Sequence, residues 1–236
     1  MKNMRWAGPL VTALFFLACT EETSSHNAHL KLGQKQLKDG DLDQAIASIR
    51  LALHQDSLNA DAWALLARAQ ALNGNLAARD KYLRRAMNIT YERGLKALES
   101  GDEEAAINSF GHTLKISPSH PLALNQLGDV YLGREQWDKA IHYYERSALA
   151  NPNFPVTFSK LGELYAFQDS TEKAIQAFER VVELDINAVE AYLSLGKLYM
   201  EEKDWAAAAE RFRTALLIQP ASFEARTGLA QASGNM

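Results

Sequence analysis

Residues 195–212 read LGKLYMEEKDWAAAAERF and hold a motif that occurs three times in the second half of the chain. The copy in this stretch consists of Leu195, Gly196, Tyr199, Ala208 and Phe212. Two earlier copies at a constant interval consist of Leu161, Gly162, Tyr165, Ala174 and Phe178, and of Leu127, Gly128, Tyr131, Ala140 and Tyr144. This interval, from Gly128 to Gly162 and again to Gly196, together with the alternation of small and large side chains, is typical of stacked helix–turn–helix repeats. The pattern therefore predicts an all-α protein that holds other molecules rather than one that transforms them.

The period and its residue pattern resemble the tetratricopeptide repeat family over about residues 26–232. In the 34-position frame of that family, Leu stands at position 7, a small residue at 8, Tyr at 11, a small residue at 20 and an aromatic residue at 24. Six registers follow this frame and begin at residues 26, 60, 87, 121, 155 and 189. The resemblance implies a right-handed α-solenoid of six helix–turn–helix repeats, closed by a capping helix and tail over 223–236.

One interval between repeats is shorter than the period. The glycine of the third repeat should follow Gly33 of the first repeat by two full periods. Gly94 stands seven residues before that position. Apolar residues keep a spacing of three and four across this junction, which predicts one continuous helix over about 76–99. The alternative is a sharp local turn with a shortened helix. The continuous helix divides the repeats into a pair over 27–86 and a group of four over 87–222.

The N-terminus has the composition of an export signal. Lys2 and Arg5 precede an apolar run over 7–18, which is too short to span a bilayer, and Cys19 follows this run. The segment resembles a bacterial lipoprotein signal, which implies that residues 1–18 are removed and that Cys19 carries the lipid. The alternative is a plain secreted protein in which Cys19 is incidental.

Residues 19–26 then form the lipidated N-terminus and a short polar tether. The residue after the cysteine is Thr20 rather than the aspartate of inner-membrane retention, which favours a lipid-anchored protein of the outer membrane that faces the periplasm. Glu21 and Glu22 leave a surface-exposed location open.

Several other classes of function are disfavoured by composition and motifs. The formal net charge is −4, so no basic footprint indicates nucleic-acid binding. No nucleophile elbow, phosphate loop or zinc motif occurs, and His26 and His29 are close in sequence without a third ligand. We therefore expect no catalytic, cofactor or metal site, and a protein that is not an enzyme.

The resemblance places a partner in the concave groove, which the family lines with positions 2, 5, 9, 12 and 13 of each first helix. In this sequence the candidate groove residues are Tyr91, Leu95, Asn125, Asp129, Leu132, Ser159, Glu163, Phe167, Leu193, Lys197 and Met200. Leu132, Phe167 and Met200 occupy positions 12 or 13 of three successive repeats, which predicts an apolar stripe suited to a peptide. The alternative is that many of these residues only cover neighbouring helices.

These observations predict a membrane-anchored, non-catalytic scaffold that binds proteins or peptides of a bacterial envelope complex. Two alternatives remain within the envelope: a regulatory or substrate-binding subunit of a cell-wall or glycan enzyme, and an assembly factor that resembles a pilus pilotin. A self-assembling structural protein is a third possibility, and the oligomeric state stays open.

Overall fold

A computed structural model of the protein describes residues 27–236 and consists there of twelve α-helices without a β-strand. The helices are α1 (27–39), α2 (Leu42–Gln55), α3 (Ala60–Leu72), α4 (Leu76–Glu99), α5 (Glu103–Ile116), α6 (Pro121–Gly133), α7 (Trp137–Ala150), α8 (Pro155–Phe167), α9 (Thr171–Leu184), α10 (Val189–Glu201), α11 (Trp205–Ile218) and α12 (Phe223–Gly234). The all-α class predicted from the sequence is confirmed.

Polar residues cap many of the helix N-termini. In each case the side chain accepts a hydrogen bond from the backbone N–H three residues further on, which satisfies a group that has no partner inside the helix. The residues that cap in this way are Asn59, Asn75, Asp102, His120, Asp204 and Ser222.

The turns between paired helices use the left-handed backbone region. Gly101 has a φ of 77°, and the residues one, two and three periods later have positive φ as well, although they are Glu135, Asp169 and Lys203. The Asp169 N–H donates a hydrogen bond to Ala166 O, and the Ser170 N–H donates one to Tyr165 O. These two bonds satisfy carbonyls at the C-terminus of α8 and end the helix. The repeated turn geometry is therefore maintained even where glycine is absent.

Each of the last four repeats closes on a contact between a glycine and an aromatic ring. A Cβ atom added to these glycines would lie 2.5–2.7 Å from the ring. The pairs are Gly94 with Phe110, Gly128 with Tyr144, Gly162 with Phe178, and Gly196 with Phe212. The absence of a side chain lets the two helices of a repeat approach until the ring of one lies on the backbone of the other.

Helix α4 is 24 residues long, over the range for which the sequence indicates a continuous helix, and it is about 36 Å in length. Its buried residues are Ala86, Ile89, Thr90, Gly94 and Ala97. The N-terminal half completes the second repeat with α3, and the C-terminal half begins the third repeat with α5.

The contacts divide the chain into two compact units, of which the first ends at Pro118 and the second comprises Ser119–Met236. This boundary differs from the division between residues 86 and 87 that the sequence led us to expect. The difference arises because α4 packs against both α3 and α5, so the second and third repeats belong to one unit.

None of the helices over residues 27–236 combines the length and the hydropathy that a membrane span requires. The expected signal peptide over 1–18, the lipid site at Cys19 and the tether over 19–26 lie outside the described residues.

Candidate functional site

The candidate groove residues of the second unit lie on the first helix of each repeat, namely α6, α8 and α10. Asp129, Glu163 and Lys197 are exposed there, whereas Leu193 is partly buried against the core and Ser159 is partly exposed. The remaining two candidates, Tyr91 and Leu95, are half-buried on α4 in the first unit, where the Tyr91 ring packs on Phe110.

A cleft of about 130 Å³ lies between α6 and α8, and we refer to it as the α6–α8 cleft. It is lined by Leu122, Asn125, Gln126, Asp129, Tyr144, Phe154, Val156, Thr157 and Lys160. Two candidate groove residues, Asn125 and Asp129, therefore line the same depression, together with a basic side chain from the next repeat.

Asn125 is a polar side chain buried in this cleft, with only 7% of its surface exposed. Its Oδ1 accepts a 2.9 Å hydrogen bond from the hydroxyl of Thr157, which is fully buried. Its Nδ2 is buried and has no hydrogen-bond partner among residues 27–236. A buried N–H without an acceptor costs about 1–3 kcal/mol, so this nitrogen is an unpaired donor at a measurable cost to stability.

Asp129 is held in place by the core. The hydroxyl of Tyr144, which is 1% exposed, donates a 2.6 Å hydrogen bond to Asp129 Oδ1. Burial raises the pKa of Tyr144 far above its ordinary value, and the hydrogen bond to Asp129 raises it further. The hydroxyl therefore stays protonated as a donor, and Asp129 presents a fixed carboxylate at the exposed edge of the cleft.

The apolar stripe expected from the sequence is uneven in its exposure. Phe167 is 65% exposed, whereas Leu132 and Met200 are partly buried against the core. The Phe167 ring packs on Trp137 with ring centroids 5.1 Å apart. Phe167 is thus the member of the stripe with the largest exposed fraction, and its contact with Trp137 holds the ring in place.

Sequence reasoning did not single out Trp137 or Thr157 as site residues. A signal for the tryptophan exists, because Trp137 and Trp205 are two periods apart and each begins a second helix. No such signal exists for Thr157, since its role depends on facing Asn125 from the next repeat.

The last groove candidates lie near the capping helix. Lys197 forms an ion pair with Glu224 of α12, and Met200 lines a cleft of about 360 Å³ that reaches Gln231. The α12 backbone approaches closely here, because a Cβ atom on Gly228 would lie 2.5 Å from the Phe212 ring. The capping helix therefore covers the core of the last repeat and forms one wall of this cleft.

No group of three or more histidine, cysteine or carboxylate side chains that could hold a metal ion occurs within residues 27–236.

Models of the tetratricopeptide repeat match residues 30–87, 121–154 and 159–225, which together make up more than half of the chain. The chain belongs to the tetratricopeptide repeat family. Proteins built from tetratricopeptide repeats bind peptides or other proteins and are generally non-catalytic scaffolds, so protein binding is the activity that this family assigns. No curated protein sequence matches the chain.

Solved structures with similar tetratricopeptide arrangements include pilF of Pseudomonas aeruginosa, 22% identical over 89% of this chain and 99% of its own, with a TM-score of 0.52. PilW, described as a widely conserved type IV pilus biogenesis factor, is 22% identical over 86% of this chain and 98% of its own, with a TM-score of 0.50. The APC/C hetero-tetramer Cut9–Hcn1 contains a chain that is 20% identical over 88% of this chain, with a TM-score of 0.50. This chain spans 42% of the length of that relative. At these identities the likeness shows the fold, and the predicted tetratricopeptide solenoid is confirmed.

Proposed function

We propose that this protein is a lipid-anchored, non-catalytic scaffold of the bacterial envelope, and that the α6–α8 cleft with Phe167 binds a segment of a partner protein. The observation that carries the proposal is the buried Asn125 Nδ2, which lacks an acceptor within the described residues. A backbone carbonyl of a bound peptide is an acceptor of the required kind, since extended peptides present one at every residue. The exposed ring of Phe167 supplies apolar surface for a side chain of the same partner.

The binding role is tested by removing the polar pair without changing the shape of the site. In the variant Asn125→Leu with Thr157→Val, both buried polar partners become apolar, so we expect stability equal to or above that of the wild type. The tagged full-length variant should nevertheless lose its partner in a cross-linking pulldown. A variant that keeps both its stability and its partner would contradict the role of the α6–α8 cleft.

The apolar contact is tested with a matched pair of exposed residues. Phe167→Ser removes the 65% exposed ring of α8, and Leu149→Ser removes an 85% exposed side chain from α7, a second helix. We expect the first variant to recover less partner and the second to recover as much as the wild type. Equal recovery from both variants would exclude Phe167 as a contact.

The anchor is supported by the sequence alone, through the charged N-terminus, the apolar run and Cys19. Cys19→Ser should abolish incorporation of labelled palmitate and move the protein from the membrane fraction to the soluble fraction. Retention of the serine variant in the outer-membrane fraction would contradict lipid anchoring through this residue.

A narrower form of the proposal is a role in assembling type IV pili. It is supported by the likeness to pilF and PilW over nearly the whole of their lengths, and by the lipoprotein-like N-terminus of this chain. Deletion of the gene in its host should then reduce the number of surface pili. Normal piliation together with altered cell-wall composition would favour the alternative of a subunit of an envelope enzyme.

A further inference from the structure

Helix α4 carries a concentration of positive charge in an acidic protein. Its sequence contains six basic and three acidic residues, a net charge of +3, whereas the whole chain has a net charge of −4. All other residues together therefore have a net charge of −7. The basic residues are Arg79, Lys81, Arg84, Arg85, Arg93 and Lys96.

Half of these residues border a cleft of about 730 Å³ between α2, α3 and α4, which we call the basic cleft. It is lined by Arg50, Leu53, Trp63, Leu66, Lys81, Tyr82, Arg84, Arg85 and Asn88. The volume lies within the range of about 300–1,000 Å³ that is usual for binding pockets.

The floor of the basic cleft is apolar and aromatic. Leu53 and Leu66 are 7% and 2% exposed, and both belong to the core of the first unit. The rings of Trp63 and Tyr82 lie with their centroids 5.5 Å apart, and the Trp63 Nε1–H donates a 2.9 Å hydrogen bond to Ser57 O. This hydrogen bond fixes the indole, so the floor offers a preformed surface for an apolar side chain.

The rim of the basic cleft is cationic, and no carboxylate of the described residues pairs with its charges. Arg50, Lys81, Arg84 and Arg85 are exposed, and none of the four forms an ion pair within residues 27–236. No carboxylate lines the cleft. Four mutually repelling charges around one depression favour an anionic ligand, because a bound anion relieves their repulsion.

The basic cleft is separate from the groove of the first helices. On α3 the floor residues are Trp63 and Leu66, whereas the groove register of this helix contains Arg68, about 140° around the helix axis from Trp63. The same basic face of α4 continues into a smaller cleft of about 320 Å³, where Arg93 donates a 3.3 Å hydrogen bond to Leu58 O. The uninterrupted course of α4 is what places these cations along one line.

We propose that the basic cleft binds an acidic peptide segment that carries an apolar side chain. The apolar side chain packs on Trp63 and Tyr82, and the carboxylates on either side of it accept charge-assisted hydrogen bonds from the rim arginines. A nucleic acid is a less suitable ligand, because the positive charge is confined to α4 and one cleft, whereas the rest of the chain, with a net charge of −7, lacks the extended basic surface that nucleic acids need. A membrane surface is less suitable too, because the apolar part of the site lies at the bottom of the cleft.

The test uses the full-length protein in non-ionic detergent and three fluorescein-labelled dodecapeptides. The first peptide alternates Asp and Glu around one Phe and one Leu, the second has Asn and Gln in place of the acids, and the third has Ala in place of the Phe and Leu. We expect fluorescence anisotropy to show binding of the first peptide and weaker binding of the other two. Raising NaCl from about 50 to 500 mM should weaken binding of the first and third peptides, whose carboxylates are screened, and should have little effect on the uncharged peptide.

Two double variants with the same change in net charge separate the site from a general charge effect. Arg84→Ala with Arg85→Ala removes two exposed rim cations, and Lys38→Ala with Lys115→Ala removes two exposed cations elsewhere in the same unit. We expect the first pair to weaken binding about tenfold or more and the second to change it less than about twofold. Phe167→Ser should leave binding unchanged, which distinguishes this site from the α6–α8 cleft.

The proposal would be overturned if the uncharged peptide bound as well as the acidic one, if the two double variants lost affinity equally, or if the acidic peptide failed to bind. In the last case, binding of phosphatidylglycerol vesicles or of inorganic phosphate that depends on Arg84 and Arg85 would identify a membrane surface or a phosphate as the occupant instead.

Discussion

The hydroxyl of Tyr165 on α8 donates a 2.6 Å hydrogen bond to Glu145 Oε1 on α7, and it thereby joins one repeat to the next. One period later, the hydroxyl of Tyr199 donates to Glu179 at 3.1 Å. Burial raises the pKa of Tyr165, and the hydrogen bond to Glu145 raises it further, so the donor persists at every physiological pH. A hydrogen bond between successive repeats therefore recurs with the same period as the core contacts.

Removal of this link should lower stability by a modest amount. We expect Tyr165→Phe to reduce the free energy of unfolding by about 0.5–1.5 kcal/mol, because Glu145 is exposed and regains water. A double-mutant cycle with Glu145→Ala, followed by urea denaturation, isolates the pair. Tyr82→Phe is the control, since its hydroxyl makes no hydrogen bond within the described residues. Additive effects of the two changes would show that the pair contributes nothing.

Substitution of a glycine at a helix–helix contact should be more damaging than at an open position. In Gly162→Ala the new Cβ would lie 2.7 Å from the Phe178 ring, so we expect a loss of about 1–3 kcal/mol. In Gly111→Ala the new Cβ would have no neighbour within 4 Å, and the higher helix propensity of alanine should raise stability by up to about 1 kcal/mol. Thermal and urea unfolding of both variants would check the opposite signs. Loss of stability in both would contradict the packing argument.

The turns with positive φ offer a second pair of opposite effects. Glu135 has a φ of 57°, where a side chain is strained, so Glu135→Gly should raise the free energy of unfolding by about 0.5–1 kcal/mol. Gly101 has a φ of 77° in the equivalent turn, and Gly101→Glu should lower it by a similar amount. Chemical denaturation gives both values, and a destabilised Glu135→Gly variant would show that this turn gains more from its side chain than it loses in strain.

One helix cap should respond to mild acid. His120 Nδ1 accepts a 3.1 Å hydrogen bond from the Ala123 N–H at the start of α6, and burial lowers the pKa of His120 below its ordinary value of 6.5. Because the folded state has the lower pKa, the unfolded state binds the proton first, and stability falls as the pH drops below about 6.5. Protonated Nδ1 no longer accepts, and a positive charge at a helix N-terminus is unfavourable.

The variant His120→Asn keeps a capping acceptor that does not titrate. Between pH 7 and pH 5, we expect the wild type to lose up to about 1 kcal/mol more stability than this variant, which is the usual contribution of an N-cap. Parallel pH curves for the two proteins would exclude His120 as the origin of acid sensitivity.

The fold was largely predictable from the sequence because the repeat pattern encodes contacts directly. The small residue of position 8 and the aromatic residue of position 24 meet at Gly162 and Phe178, so their spacing alone indicated a helix pair. The shortened interval before Gly94 likewise indicated a helix across 76–99, where α4 lies. Both inferences depend on local periodicity, which the sequence contains in full.

The candidate site was less predictable, because it depends on contacts between repeats. The register gave Asn125 and Asp129 as groove residues, but not the buried amide nitrogen without an acceptor or the hydrogen bond from Tyr144. The register also treated Leu132 and Phe167 alike, whereas the exposed fraction of the first is smaller because it packs against the core of the second unit. The basic cleft is not evident from the sequence, because its residues come from three helices and the net charge of the whole chain is negative.

The single course of α4 through two repeats has a mechanical consequence. When the ends of the first unit are pulled apart, the second and third repeats cannot detach one after the other, because each loses half of its structure when α4 yields. Under tension they should rupture in one event, with an extension step that corresponds to both. Deletion of one repeat at this junction would likewise leave half of α4 without a packing partner. A single repeat therefore cannot be removed here without exposing part of the core.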